Sequence, residues 1–211
     1  MNILRIGLLG GIGLTGLFST AQAASIFTLN QDGCTGSCGV GPFGTITLVQ
    51  TTVTLVTVTE ALSDLERFAG TGAGDALEFN IAGPITIGGI TVGFAIGPSP
   101  DTASTFGTFL ASITCTACQG GKASNPPGPL SFTVTSATGI TIADFKANAG
   151  GYYFASDIVG TNGNTGNVAA YGASTPTPEP GSLFTLLTGV GLIGLSRRLR
   201  YFRRKDVAEA A

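Results

Sequence analysis

Apolar and hydroxyl-bearing residues alternate with a period of two along residues 45–49 and 53–59 of this chain. Successive side chains of a β-strand point to opposite faces of its sheet, so this alternation is typical of strands with one buried face. Turn residues separate these stretches from further candidate strands at residues 76–81, 85–87, 90–94, 106–114, 130–136 and 151–158. About seven strands punctuated by glycine and proline predict a mainly β fold, a single antiparallel β-sandwich of jelly-roll or immunoglobulin-like type.

Two local patterns add detail to this fold. Gly88 and Gly89 separate two short candidate strands, and adjacent glycines supply the positive φ angles of a tight turn. Residues 85–94 therefore predict a β-hairpin. Residues 60–68 carry apolar side chains at every third position and precede a glycine, which indicates one short helix. A second helical turn is expected at residues 143–147.

The first 23 residues have the layout of a secretory signal peptide. One charge, Arg5, precedes an apolar run over residues 6–18, and Ala21 and Ala23 form a small-x-small cleavage site. The apolar run is shorter and richer in glycine than a membrane-spanning helix, which needs about 20 apolar residues. We expect an N-terminal signal helix here, removed after export.

A second apolar segment, residues 183–195, lies near the C-terminus and is followed by six basic residues. They are Arg197, Arg198, Arg200, Arg203, Arg204 and Lys205. Apolar residues up to position 202 and the aliphatic stems of the arginines extend this segment to a marginal transmembrane helix. Basic residues favour the cytoplasmic side of a membrane. The pattern predicts a membrane-anchored chain with its body outside and its basic end inside.

The motif Pro178-Glu179-Pro180 stands just before this apolar segment, and its two prolines keep the strip extended. Motif, apolar segment and basic cluster in this order resemble the PEP-CTERM sorting signal of exported proteins from exopolysaccharide-producing bacteria. The resemblance implies recognition by a membrane-embedded exosortase and cleavage near the motif. A permanent single-span anchor is the alternative. Residues 131–166 also resemble, more loosely, the β-rich bodies of uncharacterised PEP-CTERM proteins, which implies no activity.

The chain therefore divides into five predicted parts. They are a signal peptide (1–23), a β-sandwich domain (24–160), a spacer rich in Gly, Asn, Thr and Pro (161–177), the sorting signal (178–205) and a short tail (206–211). Residues 24–177 carry nine acidic and three basic residues. An acidic body without a basic patch argues against nucleic-acid binding.

The chain contains no histidine. This excludes Ser-His-Asp and Cys-His nucleophilic catalysis, zinc ligation by histidine and the commonest general base near neutral pH. The four cysteines form two close pairs, Cys34 with Cys38 and Cys115 with Cys118. In an exported chain an even number of cysteines indicates disulfides, here with three possible connectivities, of which we favour the two local bonds. A four-thiolate metal site and a redox motif at Cys115–Cys118 are the alternatives.

Oxygen-bearing side chains crowd one glycine-rich stretch near residue 160. Asp157, Asn162, Asn164 and Asn167 offer hard oxygen ligands, so they are weak candidates for calcium binding, although Asn-Gly turns explain the same residues structurally. We expect no metal there.

Two further groups of residues are considered as sites. Acidic pairs at Asp64/Glu66 and Asp75/Glu78 resemble a glycosidase pair only in composition, and we expect them to be solvated surface residues. In the aromatic run Tyr152-Tyr153-Phe154, alternation predicts Tyr152 and Phe154 on one face and Tyr153 on the other. We expect core residues and one amphipathic rim residue here, and a carbohydrate platform that includes Tyr153 is the alternative.

These observations predict an exported, non-enzymatic cell-surface or extracellular-matrix protein with no catalytic residues and no cofactor. Its expected partners are signal peptidase and the export machinery, an exosortase, the membrane before processing, and extracellular polysaccharide. A carbohydrate- or calcium-dependent adhesion module is the first alternative. A surface-tethered hydrolase is the second.

Overall fold

The computed structural model describes residues 23–63, 65–71, 74–172 and 176–177. Within these residues the chain forms short strands and one 3-10 turn. The strands are β1 (Ala24–Leu29), β2 (Gln31–Asp32), β3 (Gly44–Thr52), β4 (Leu55–Leu62), β5 (Arg67–Phe68), β6 (Leu77–Ile81), β7 (Thr86–Gly88), β8 (Phe94–Ile96), β9 (Asp101–Ala103), β10 (Gly107–Phe109), β11 (Ala111–Cys115), β12 (Leu130–Thr135), β13 (Phe145–Lys146), β14 (Tyr152–Val159), β15 (Thr165–Tyr171) and β16 (Pro176–Thr177).

The strands form two larger antiparallel sheets. The first has the order β16-β1-β3-β4-β12-β7, and the second has the order β2-β15-β14-β6-β11-β8, with β5 added beside β14 and β13 beside β6. The first sheet contains the two alternating stretches of the sequence. Its strands β3, β4 and β12 bury every second residue, because one face covers the core and the other meets solvent.

The two sheets pack face to face around a core of aromatic side chains. Phe79 of β6 stacks on Phe132 of β12 with ring centroids 5.6 Å apart, and Phe27 of β1 meets the edge of Phe154 of β14 at 4.9 Å. Each pair joins one sheet to the other. This arrangement confirms the prediction of a mainly β, sandwich-like fold.

The predicted hairpin at residues 85–94 is wrong. Strand β7 pairs with β12 in the first sheet, whereas β8 pairs with β11 in the second. Gly89 does adopt a positive φ of 61°. The chain uses the glycine-rich segment to cross from one sheet to the other.

The helix predicted over residues 60–68 is also wrong. Strand β4 continues through Glu60 to Leu62, because its backbone is paired with β3 on one side and β12 on the other. The apolar side chains that suggested a helix do not share a face, since Leu65 is exposed and Phe68 is buried. The helical turn expected at residues 143–147 corresponds to a 3-10 turn over Ile142–Asp144, and β13 follows it directly.

The spacer predicted over residues 161–177 is wrong for its central part. Strand β15 occupies Thr165–Tyr171 and pairs along β14, and its residues Asn167 to Ala170 are buried. The second sheet is thus buried on both faces here. Its outer face is covered by a small hairpin of β9 and β10, which we call the covering hairpin.

The covering hairpin is held by its own apolar contacts. Ala103, Phe106 and Phe109 of the hairpin pack on Ala155 and Ala169 of the sheet, and all five are buried. Small residues at positions 155 and 169 leave room for the two phenylalanine rings. This second, minor core fixes the hairpin over the polar outer residues of β6, β11 and β14.

Candidate functional site

Both predicted local disulfides are present. Cys34 is bonded to Cys38 and Cys115 to Cys118, and no described cysteine is free. Among the described residues, only Asp32, Cys34 and Cys38 bring three candidate ligand atoms within 4.8 Å of one another. Because both sulfurs are in a disulfide, this trio offers no thiolate to a metal.

Asp32 instead organises the first disulfide loop. Its carboxylate accepts hydrogen bonds from the backbone N–H of Cys34 at 2.9 Å and of Cys38 at 3.1 Å, and from the Ser37 hydroxyl. Burial acts to raise the pKa of Asp32, but the hydrogen bonds from Ser37, Cys34 and Cys38 outweigh it and lower that pKa. The arrangement explains the loop structurally.

The weak calcium candidates do not form one site. Asn162 and Asn164 donate side-chain hydrogen bonds to the carbonyl of Ser37 at 2.9 and 2.8 Å, so they hold the first disulfide loop. Asp157 lies in β14 and accepts hydrogen bonds from the backbone N–H and hydroxyl of Thr71, at 2.9 and 2.7 Å. The structure therefore uses Asp157 in a different place from the two asparagines.

The aromatic run at residues 152–154 departs from the predicted alternation. A register shift lies between Tyr152 and Phe154 in β14. As a result Tyr153 and Phe154 both contact Phe27, with Tyr153 at 5.2 Å between ring centroids. Tyr152 turns to the outer face, where it meets Phe106 at 4.9 Å. Tyr153 is thus half-buried against the core, which argues against its role as a carbohydrate contact.

Four carboxylates gather where the covering hairpin meets the outer face of the second sheet. We call this group the carboxylate cluster; it consists of Asp75, Glu78, Asp101 and Asp157. The expectation that Asp75 and Glu78 are solvated surface residues is wrong, since Glu78 is fully buried and Asp75 is half-buried. The same expectation is wrong for Glu66, which is buried with a relative exposure of 4%, whereas Asp64 lies outside the described residues.

Strand register explains how the carboxylate cluster forms. Glu78 of β6 stands opposite Ser112 of β11 and Ala155 of β14, so all three share the outer face. Asp157 follows two residues after Ala155 on the same face. Its backbone N–H donates to the carbonyl of Asp75 at 2.9 Å, which places Asp75 beside β14.

The covering hairpin supplies the fourth carboxylate. Asp101 is the first residue of β9 and pairs with Phe109 of β10. Because Phe109 packs on the sheet in the minor core, Asp101 is brought close to Asp75 and Glu78. The hairpin therefore both covers the carboxylate cluster and contributes to it.

Burial and mutual repulsion raise the pKa values of three members of this cluster, Asp75, Glu78 and Asp157. The pKa of Glu78 rises to about 9, chiefly through burial, with the charges of Asp101, Asp75 and Asp157 adding to the shift. Burial is also the largest cause of the raised pKa values of Asp75 and Asp157. Like charges in a poorly solvated place disfavour ionisation of one another. With a pKa of about 9, Glu78 is mostly protonated at neutral pH, which lowers the negative charge of the cluster.

A further buried acid lies between the two sheets. Glu60 of β4 is fully buried, and neither of its carboxylate oxygens has a hydrogen-bond partner. Burial raises the pKa of Glu60 to about 8, against a smaller opposing effect of the neighbouring Ser156 hydroxyl. That hydroxyl donates its proton to the carbonyl of Ala76 at 2.8 Å, so the proton is not available to stabilise a Glu60 carboxylate. Glu60 is therefore mostly protonated at neutral pH.

Sequence reasoning missed both Glu60 and the carboxylate cluster. Glu60 continues the buried phase of β4 after Val56 and Val58, and this phase was the available indication. Nothing comparable marks Glu78 or Asp157, because polar residues on one face of a strand usually meet solvent. Their burial depends on segments distant in the sequence, the covering hairpin beside Glu78 and Thr71 beside Asp157.

The predicted sorting motif Pro178-Glu179-Pro180, the basic cluster and the cleavage residue Ala21 lie outside the described residues. No helix within the described part of the chain is long and apolar enough to cross a membrane. Comparison with known proteins finds no counterpart: no protein-family model matches the chain, and no curated protein or solved structure matches it significantly.

Proposed function

We propose that this chain is an exported, non-enzymatic protein of the cell surface or extracellular matrix, sorted by an exosortase through its C-terminal signal. The observation that carries the proposal is the pair of disulfides in the β domain, Cys34–Cys38 and Cys115–Cys118. Disulfides form and persist in oxidising compartments and are rare in the cytosol. They agree with the signal peptide expected at residues 1–23.

The sorting route rests on the sequence of the C-terminal region. The PEP-CTERM-like motif at residues 178–180, the apolar segment and the basic cluster would first hold the chain in the membrane, with the β domain outside. Cleavage near Glu179 would then release the domain or transfer it to another surface molecule. In this proposal the domain, a jelly-roll-like or immunoglobulin-like sandwich, has extracellular polysaccharide as its expected surroundings.

The burial of the acidic side chains favours a non-enzymatic role. A glycosidase pair must contact its substrate on both sides of the scissile bond. Glu78 and Asp157 are instead buried, with relative exposures of 0% and 1%. Together with the absence of histidine, this supports a structural or interaction role over hydrolysis.

The proposal is tested by mass spectrometry of the native protein from membrane and extracellular fractions of its host. The wild-type chain is expected to begin after Ala23 and to lack the residues beyond the motif in the extracellular fraction. Glu179→Ala is expected to keep its tail and remain in the membrane fraction. Glu209→Ala, an equal change beyond the basic cluster, serves as the matched control and is expected to be processed normally. A wild-type protein that always ends at Ala211 would contradict sorting and indicate a permanent anchor.

A further inference from the structure

The last strand of the β domain lies directly before the sorting motif. Strand β16 ends at Thr177, and Pro178-Glu179-Pro180 follows without a spacer. Two residues reach at most about 7 Å, so Glu179 stays within that distance of Thr177 while β16 is paired. A single layer of protein, for example one helix, is about 10 Å across. An enzyme cleft that encloses the chain near Glu179 therefore has no room for its wall on the side of the sheet.

Release of β16 from the sheet would remove this obstacle. The preceding strand β15 ends at Tyr171, is paired along β14 and is buried from Asn167 to Ala170, so it remains a fixed point. With β16 free, the eight residues 172–179 join this fixed point to the motif. A chain of that length reaches up to about 26 Å, which is enough to enter a cleft beyond the edge of the sheet.

β16 is held by few contacts of its backbone. It pairs with β1 at two positions, Ala24 with Thr177 and Ser25 with Pro176, whereas β1 pairs with β3 at six positions. Proline has no N–H to donate to a neighbouring strand. Ala24 and Ser25 would also be the first residues of the chain after the expected removal of the signal peptide, and chain ends fray. The pair can therefore open while the rest of the sheet stays intact.

We propose that β16 is a releasable strand that controls access to the sorting motif. Paired with β1, it keeps the motif too close to the sheet for an exosortase to enclose the chain. Unpaired, it presents the motif as an extended substrate at a distance from the folded domain. This inference rests on the sorting route proposed above, and it adds that local opening of the β domain precedes cleavage.

A disulfide between the two strands tests the need for release. Ser25→Cys combined with Pro176→Cys joins β16 to β1, because facing residues of antiparallel strands have Cα atoms about 4.5 to 5.5 Å apart, within the range of a disulfide. In the host, this variant is expected to lose its tail at least about tenfold more slowly than wild type, since cleavage follows the population of the open form. Thr28→Cys combined with Thr45→Cys joins β1 to β3 and leaves β16 free. This matched control is expected to be processed normally.

A linker separates lack of reach from other effects of the disulfide. Insertion of Gly-Ser-Gly-Ser-Gly-Ser between Thr177 and Pro178 adds roughly 20 Å of reach outside the paired strand. The insertion is expected to restore normal processing of the Ser25→Cys, Pro176→Cys variant. Mass spectrometry without reduction verifies that the engineered bond is present in both proteins.

Hydrogen exchange of the purified full-length chain in detergent measures the opening without the host. Peptides that cover residues 24–25 and 176–177 are expected to exchange at least about tenfold faster than those that cover β14 and β15, because a local opening reaches only the first pair. Equal protection of both regions would overturn the proposal. So would normal processing of the disulfide variant, or failure of the linker to restore processing. A wild-type tail that is never removed would instead contradict the sorting route itself.

Discussion

Replacing Glu60 by glutamine is expected to stabilise the protein at neutral pH but not at acidic pH. Glu60 is completely buried between the two sheets and has no hydrogen-bond partner for either carboxylate oxygen. Its pKa is about 8 in the folded protein, against an ordinary value of 4.5. Between these two values the unfolded chain loses the proton of Glu60 while the folded protein keeps it. Folding stability therefore falls as the pH rises through this window.

The size of the effect follows from the pKa difference. One pKa unit corresponds to about 1.36 kcal/mol, so holding Glu60 protonated costs roughly 3 kcal/mol at pH 7 and close to 5 kcal/mol above pH 8. Glutamine has nearly the same shape and no proton to lose. It leaves amide hydrogens to be satisfied, which costs about 1 to 3 kcal/mol at every pH. The slope of stability against pH is therefore a cleaner measure than stability at one pH.

The assay is equilibrium urea unfolding of wild type and Glu60→Gln between about pH 5 and pH 8, in EDTA. The difference in unfolding free energy is expected to move in favour of the variant by about 1.4 kcal/mol per pH unit. Asp144→Asn is the matched control. Hydrogen bonds from the Thr141 N–H and hydroxyl lower the pKa of Asp144, so its titration lies below this range. The control should stay parallel to wild type, and parallel curves for Glu60→Gln would refute the reasoning.

Three further predictions concern stability. Phe79→Ala is expected to lower the unfolding free energy by about 3 to 5 kcal/mol, because Phe79 contacts three other rings of the inter-sheet core. Val53→Ala, at a position 82% exposed, should change the unfolding free energy by less than about 0.5 kcal/mol. Similar values for the two variants in urea unfolding would count against this core. Replacing both Cys115 and Cys118 by serine is expected to cost only about 2 kcal/mol, since the bond closes a loop with a sequence separation of 3; failure of the variant to fold, judged by circular dichroism, would show a larger role. Tyr153→Ala is expected to lower the Tm, because the Tyr153 ring packs on Phe27. Tyr171→Ala, at a side chain 62% exposed, should leave the Tm nearly unchanged. A larger loss of Tm in Tyr171→Ala than in Tyr153→Ala would contradict this assignment of faces.

The strands that could be predicted from the sequence are those with one buried face and one solvent-exposed face. Strands β3, β4 and β12 alternate clearly because solvent requires threonine and serine on their outer side. Strand β15 was missed because its outer face is covered, so the small residues that fit beneath the covering hairpin resemble the composition of a loop. A local pattern contains no information on which distant segment will cover a face.

The same limit applies to the candidate site. The cysteine pairs were predictable because their partners are neighbours in the sequence. The carboxylate cluster was not, since Asp75, Asp101 and Asp157 come from segments that meet only through pairing of β6, β11 and β14 and through the position of the covering hairpin. The sequence led us to expect Glu78 as a solvated acid and Asp157 as one of several oxygen donors near residue 160, and it gave no indication of their burial.

The pairing of β16 with β1 brings the two ends of the β domain next to each other. Ala24 stands opposite Thr177 in this antiparallel pair, so the first and last strands of the domain end side by side. Neighbouring strands lie about 5 Å apart, a gap that a few glycine and serine residues would span. A circular permutant with these ends joined and new ends opened in the exposed turn at Val53 should therefore fold, because domains with adjacent termini tolerate such rearrangement. The order in which the strands are made is then separable from the architecture that they form.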